Sequence, residues 1–233
     1  DYKNRPIQVV ERNPRGGVSR TCYAYDIPGN ILRSKELIQP EAGAAADVLN
    51  KEYEFDNRRR ITRALSYLNS CEPAQVRYEY NDLGQLIGRS TQRNNLLETM
   101  KYNLQGWQTE KQVKHFGDSV FCMRLSYYTP RFPGSVPGYT GNISEWTWQQ
   151  GPDTDENTYA FIYDGLSRLT DTRQYVNGTV DDRFVEKSLS YDLNGNLRSL
   201  ERCEQGTLKN RYVYRHDGNR LLALDDFAAS PSA

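Results

Sequence analysis

The 233-residue sequence has no run of about 18 apolar residues, which excludes a membrane-spanning helix. Asp1–Val10 also lacks the apolar stretch of a leader peptide, so any export signal is expected upstream of this segment. Only two histidines occur, His115 and His216, which leaves few members for a Ser-His-Asp or Cys-His constellation. Gly117-Asp118-Ser119-Val120-Phe121 and Gly165-Leu166-Ser167-Arg168-Leu169 each miss the final glycine of a nucleophile elbow, and no phosphate-binding glycine loop is present. Cys22, Cys71, Cys122 and Cys203 lie far apart with no C-x-x-C spacing, so they read as free, buried thiols rather than a zinc site or redox pair. Thirty basic residues balance thirty acidic ones, and that neutrality argues against a nucleic-acid partner. No cofactor, metal or catalytic residue is implied, and the chain is expected not to be an enzyme.

Tyrosine is what the sequence has instead: 17 residues, against seven Phe and two Met. Amphipathic rings of this kind suit half-buried strand faces. A short pattern, aromatic-x-Tyr-Asp-x-x-Gly-x-Leu, recurs along the chain as YAYDIPGNI, YEFDNRRRI, YEYNDLGQL, MKYNLQGWQ, FIYDGLSRL, LSYDLNGNL and YVYRHDGNRL. Its anchors are Tyr25, Phe55, Tyr80, Tyr102, Tyr163, Tyr191 and Tyr214, separated by 30, 25, 22, 61, 28 and 23 residues. Such spacings fit one hairpin per repeat and are too short for a βαβ unit with its loops. The 61-residue gap holds an eighth, split copy, with Leu125 and Tyr127 on the first strand and Gly141–Ile143 on the return strand. Residues 129–140, with Pro130, Pro133, Gly134, Pro137 and Gly138, then read as an insertion at the hairpin tip.

Two aromatics two residues apart share a strand face. The next residue is Asp or Asn in six copies (Asp26, Asp56, Asn81, Asn103, Asp164, Asp192), suited to capping a type I turn. Gly29, Gly84, Gly106, Gly195 and Gly218 supply the left-handed position that returns the chain. Ile31, Leu86 and Leu197 begin return strands. Arg59 and Ser167 replace the glycine, Arg215 replaces the Asx residue, and Pro28 sits where a type I turn disfavours it.

These residues resemble the YD-repeat, or RHS-repeat, family, and the order of YNDLGQLIGR, YNLQGWQTE, LSYYTP, YTGNISEWTW and YDGLSRLTD resembles RHS proteins of Bacteroidetes. The match covers roughly Thr21 to Leu224. The resemblance implies an all-β fold: an array of antiparallel β-hairpin repeats forming a curved, spiralling sheet, part of a hollow shell. It implies a secreted or cell-surface scaffold that encloses or presents a toxin or interaction domain lying outside this chain. Its partners would be the remaining repeats and the C-terminal domain of the parent protein. The family's self-cleaving core has no counterpart here: Asp225 and Asp226 lack its pattern, so no catalytic residue is carried over. Residues 1–233 are expected to form a single array with a tail at 225–233.

Asp1–Ser19 and Gln39–Lys51 fit the repeat poorly; the latter reads as a loop or as one short helix. Asp153/Asp155, Asp181/Asp182 and Asp225/Asp226 read as solvated loop acids, and Arg58–Arg60 as a charged hairpin tip. The candidate binding residues are Phe132 and Tyr139 in the insertion and Trp146 and Trp148 after it. Exposed, they would stack on cell-surface glycans, which makes a carbohydrate-binding surface module the rival reading. Alternation puts both Trp rings on one face, opposite Ile143 and Glu145, where a packed cluster is the expectation.

Overall fold

The computed structural model describes residues 1–93 and 95–228. It is all-β, with no helix among the described residues. Eighteen strands follow in chain order among the described residues: β1 Gln8–Arg12, β2 Gly16–Tyr25, β3 Ile31–Glu41, β4 Asp47–Phe55, β5 Ile61–Leu68, β6 Ala74–Tyr80, β7 Leu86–Thr91, β8 Leu96–Tyr102 and β9 Gln108–His115. They continue as β10 Asp118–Ser126, β11 Glu145–Gln149, β12 Asn157–Tyr163, β13 Leu169–Val176, β14 Thr179–Val180, β15 Phe184–Tyr191, β16 Leu197–Glu204, β17 Thr207–Asp217 and β18 Arg220–Asp226.

The described residues divide into two compact units, Asp1–Met100 with Val113–Asp118, and Lys101–Gln112 with 119–228. In the first, β1 to β8 pair in sequence order. In the second, β10 to β14 pair in order, and β15 to β18 form a four-stranded sheet. All registers are antiparallel, as short turns between neighbours require.

Six anchors are the last residues of their strands: Tyr25, Phe55, Tyr80, Tyr102, Tyr163 and Tyr191 close β2, β4, β6, β8, β12 and β15. Tyr127 lies one residue past β10. Tyr214 sits inside β17, because this copy turns later, at Gly218 and Asn219 between the paired residues Asp217 and Arg220. Gly218, at φ +59°, takes the first central position of a two-residue loop, where a type II′ turn requires glycine.

Five expectations are corrected. Gln39–Lys51 is neither loop nor helix: β3 runs through Pro40 to Glu41 and β4 starts at Asp47. Pro40 is tolerated because Gly17 faces it without a side chain; a Cβ there would lie 2.2 Å from the Pro40 carbonyl oxygen. Asp1–Ser19 is not outside the pattern, since β1 and β2 form a hairpin and Asp1–Arg5 forms a repeat turn. The return strand of the split copy begins at Glu145, not at Gly141–Ile143. Of the four thiols only Cys203 is buried; Cys122 is half-buried, and Cys22 and Cys71 are exposed because they lie on an open strand face and in a turn. In the presumed tail, Asp225 and Asp226 belong to β18, the Phe227 amide donates to Arg211 O, and 229–233 lie outside the described residues.

Candidate functional site

The repeating site is the hairpin tip. In the Asp192 copy the Gly195 amide donates to Asp192 O and the Asp192 amide to Asn196 O, which is a type I turn closed by a left-handed residue. The Asp192 carboxylate satisfies the turn from inside: Oδ1 accepts the amides of Asn194 and Asn196, and Oδ2 accepts the Asn196 side chain at 2.8 Å. The same bonds recur at Asp56 and Asp164, while at Asp26, where Pro28 has no amide to give, Oδ1 accepts the amides of Gly29 and Asn30. Asn81 and Asn103 do this work as amides. Arg59 and Ser167 adopt φ of +64° and +62°, so the turn keeps its geometry where glycine is missing.

Sequence reasoning missed the residue after the glycine. Arg60 and Arg168 each return an Nε bond of 2.7 Å to their turn aspartate and reach forward to the next hairpin. There the guanidinium lies 4.5 Å from the Tyr80 ring and 4.6 Å from the Tyr191 ring, and donates to Asn81 O and Asp192 O at 3.3 Å. Arg5 does the same, bound to Asp1 and seated 4.5 Å from the Tyr25 ring, so Asp1-Tyr2-Lys3-Asn4-Arg5 is a further copy. Its signal was legible as Asp followed by Arg four residues later, as in Asp56/Arg60 and Asp164/Arg168.

Five anchor hydroxyls reach back to the carbonyl that follows this residue. Tyr25 donates to Pro6 O, Tyr80 to Ile61 O, Tyr127 to Gln108 O, Tyr163 to Ile143 O and Tyr191 to Leu169 O, at 2.7–2.9 Å. At the Tyr25, Tyr80, Tyr163 and Tyr191 junctions the hairpins are thus stapled by a phenol in one direction and, through Arg5, Arg60, Asn142 and Arg168, a guanidinium or amide in the other. Burial pushes the phenols of Tyr80, Tyr127, Tyr163 and Tyr191 above the ordinary tyrosine range.

The turn carboxylates move the opposite way. Asp192 and Asp164 are held low chiefly by side-chain bonds from Asn196 and Arg168, and Asp56 chiefly by the Arg60 amide. At Asp26 partial burial works upward, yet the bonds from Asn30 and Gly29 together outweigh it.

The insertion folds back onto one sheet face. Glu145, 1% exposed, accepts the amides of Arg131 and Phe132 at 2.8 and 2.7 Å and the Ser135 hydroxyl at 2.9 Å, all on Oε1. Ser144 Oγ bonds Tyr127 O and Val136 O, the Tyr175 hydroxyl donates to Pro133 O, and Phe132 stacks on Tyr175 at 4.4 Å. Glu145 pairs across to Ala160 and Thr147 to Thr158, which pairs with Tyr175, so all of these lie on the covered face. The Phe132 ring meets Tyr175 and not the tryptophans, whereas Tyr139 stays exposed while stacking on Tyr128 at 5.7 Å.

Trp146 and Trp148 occupy the other face, with Tyr159 across from Trp146. The two indoles stack at 4.4 Å, and Trp148 stacks on Tyr159 at 5.4 Å, with Phe161 at the end of the row. These half-buried rings turn their faces to one another. Beside them opens a groove of about 610 Å³ lined by Trp146, Tyr159, Phe161, Phe184, Arg202 and Lys209. The groove's charges are already paired, Arg202 with Glu186 and Lys209 with Glu204. No cluster of three or more metal-ligating side chains occurs among the described residues.

No family model and no curated protein matches the chain. Among solved structures it is similar to the Tc holotoxin pore of Photorhabdus luminescens, with 10% identity, TM-score 0.24, and coverage of 95% of this chain and 16% of that one. A TcdB2–TccC3 complex matches with 11% identity, TM-score 0.25, and coverage of 96% and 17%. A porin-like protein from Bacteroides uniformis matches with 12% identity, TM-score 0.36, and coverage of 94% and 91%. The chain therefore spans about a sixth of the toxin chains it resembles.

Proposed function

We propose that this chain is a non-catalytic wall segment of a large exported RHS-type protein, whose stapled hairpins enclose or present a domain outside the chain. The observation that supports this most is the phenol-to-carbonyl bond repeated at five hairpin junctions. A bond repeated at five places builds an extended surface, whereas catalysis needs convergent groups at one place. The polar atoms with the strongest local chemistry, the turn aspartates, are consumed by their own turns. In this reading the parent protein is extracellular or at the cell surface, and its remaining repeats and C-terminal domain are the partners.

Limited proteolysis of the parent polypeptide tests the reading. A wall protects its cargo, so the domain beyond the repeats should resist protease until Tyr80→Phe, Tyr163→Phe and Tyr191→Phe are combined. Cargo equally digestible in both proteins overturns the enclosure.

A further inference from the structure

The turn chemistry leaves its two central positions unconstrained: the Asx residue and the left-handed residue do the folding, and polar residues are ordinary between them. Six tips nevertheless place a large apolar or aromatic side chain there. Tyr2, Ile27, Leu83, Leu104, Leu166 and Leu193 are between 73% and 106% exposed. Within the first unit the tips adjoin, since Lys3 Nζ donates to Ile27 O at 2.5 Å and the Arg58 guanidinium donates to Asp82 O. Tyr2, Ile27 and Leu83 therefore stand along one rim, with exposed Lys3, Arg58 and Arg59 among them.

The charge at this rim is not the neutral balance of the whole chain. Asp1 and Asp56 are paired with Arg5 and Arg60, and Asp26 is turned into its own turn, accepting the Gly29 and Asn30 amides. With those two pairs set aside, Asp26 and Asp82 face the exposed cations Lys3, Arg58 and Arg59, an excess of one positive charge at the rim. The apolar groups are also spaced as isolated spikes, one per hairpin and so about 10 Å apart where hairpins adjoin. No continuous patch results for a flat protein partner, whereas a fluid interface accepts each spike separately.

We propose that this rim of the first unit docks on an anionic lipid bilayer, with Tyr2, Ile27 and Leu83 entering the headgroup region and Lys3, Arg58 and Arg59 meeting phosphate groups. The central turn positions that carry the second unit's Leu104, Leu166 and Leu193 hold no Lys or Arg and lack that electrostatic component.

Co-sedimentation of the 233-residue chain with phosphatidylcholine vesicles, with or without about a third phosphatidylserine, tests this. The chain should pellet with the anionic vesicles and at least about tenfold less with the neutral ones. Ile27→Asp/Leu83→Asp should lower the bound fraction by about tenfold without moving the melting temperature, and Lys3→Ser/Arg59→Ser should lower it by about tenfold as well, while Leu166→Asp/Leu193→Asp should change it little. Absence of pelleting, or equal pelleting of Ile27→Asp/Leu83→Asp, overturns the proposal. So does concentration-dependent self-association in sedimentation velocity that the same pair abolishes, because the rim would then join copies of the chain.

Discussion

The Tyr191 hydroxyl donates a 2.7 Å hydrogen bond to the carbonyl of Leu169, the residue that opens the return strand of the preceding hairpin. This explains why the anchors are tyrosine and not phenylalanine: the ring packs against Arg168 of the preceding turn while its hydroxyl satisfies a carbonyl at the strand start.

Removing one such staple should cost a hydrogen bond and little else. Tyr163→Phe and Tyr191→Phe are each expected to destabilise by about 1 kcal/mol in urea unfolding. Phe55 is the exception among the anchors, and the pattern places the carbonyl of Ile31 where its hydroxyl would reach. Phe55→Tyr should therefore raise the midpoint by a similar amount, and a fall would show that this junction is built differently.

The left-handed turn position gives a paired prediction of opposite sign. Gly195 has φ +87°, and a Cβ there would meet nothing within 4 Å, so Gly195→Val isolates backbone strain and should destabilise by about 1–2 kcal/mol. Ser167 already bears that strain at φ +62°. Ser167→Gly should stabilise by about 0.5 kcal/mol, the relief being partly offset by greater freedom of the unfolded chain. Equal melting temperatures for both variants and the parent would disprove the turn geometry.

The repeat was legible because turn formation is local: Asx, left-handed residue and return strand lie within six residues, and Tyr25, Tyr80 and Tyr191 end strands where the pattern places them. The staples were not legible, because Tyr191 and Leu169 are 22 residues apart and hydrophobic patterning says nothing about a hydroxyl's partner. Pro40 misled because its strand is permitted by Gly17, a residue on the neighbouring strand. Glu145 was passed over for the neighbouring tryptophans, since an isolated acid in a sequence gives no sign that an insertion will fold onto it.

That acid yields the next prediction. Glu145→Ala would orphan the amides of Arg131 and Phe132 and the Ser135 hydroxyl, and destabilise by roughly 3 kcal/mol or more. Phe132→Ala should also destabilise, by a smaller amount, because its ring covers Tyr175. Hydrogen exchange should show protection lost across 129–140 in the Glu145 variant and retained at the Asp192 turn. Unchanged exchange in the insertion would mean that Glu145 does not hold it.

The charged groups of the tips fix the pH dependence from both sides. Asp26, Asp56, Asp164 and Asp192 have carboxyls held below the ordinary aspartate value, so their contribution is complete above about pH 4 and is lost as pH falls through the lower folded values. The anchor phenols are raised, so their contribution is complete below about pH 10 and is lost as pH rises through the higher folded values. Thermal melts should therefore be flat between these limits and fall at each end. The amides at Asn81 and Asn103 show that the turn does not need a charge. Asp26→Asn with Asp192→Asn should accordingly shrink the acid limb and leave the alkaline limb in place, because a neutral turn has no proton to gain. An acid limb of unchanged depth in that double variant would assign acid unfolding to groups other than the turn aspartates.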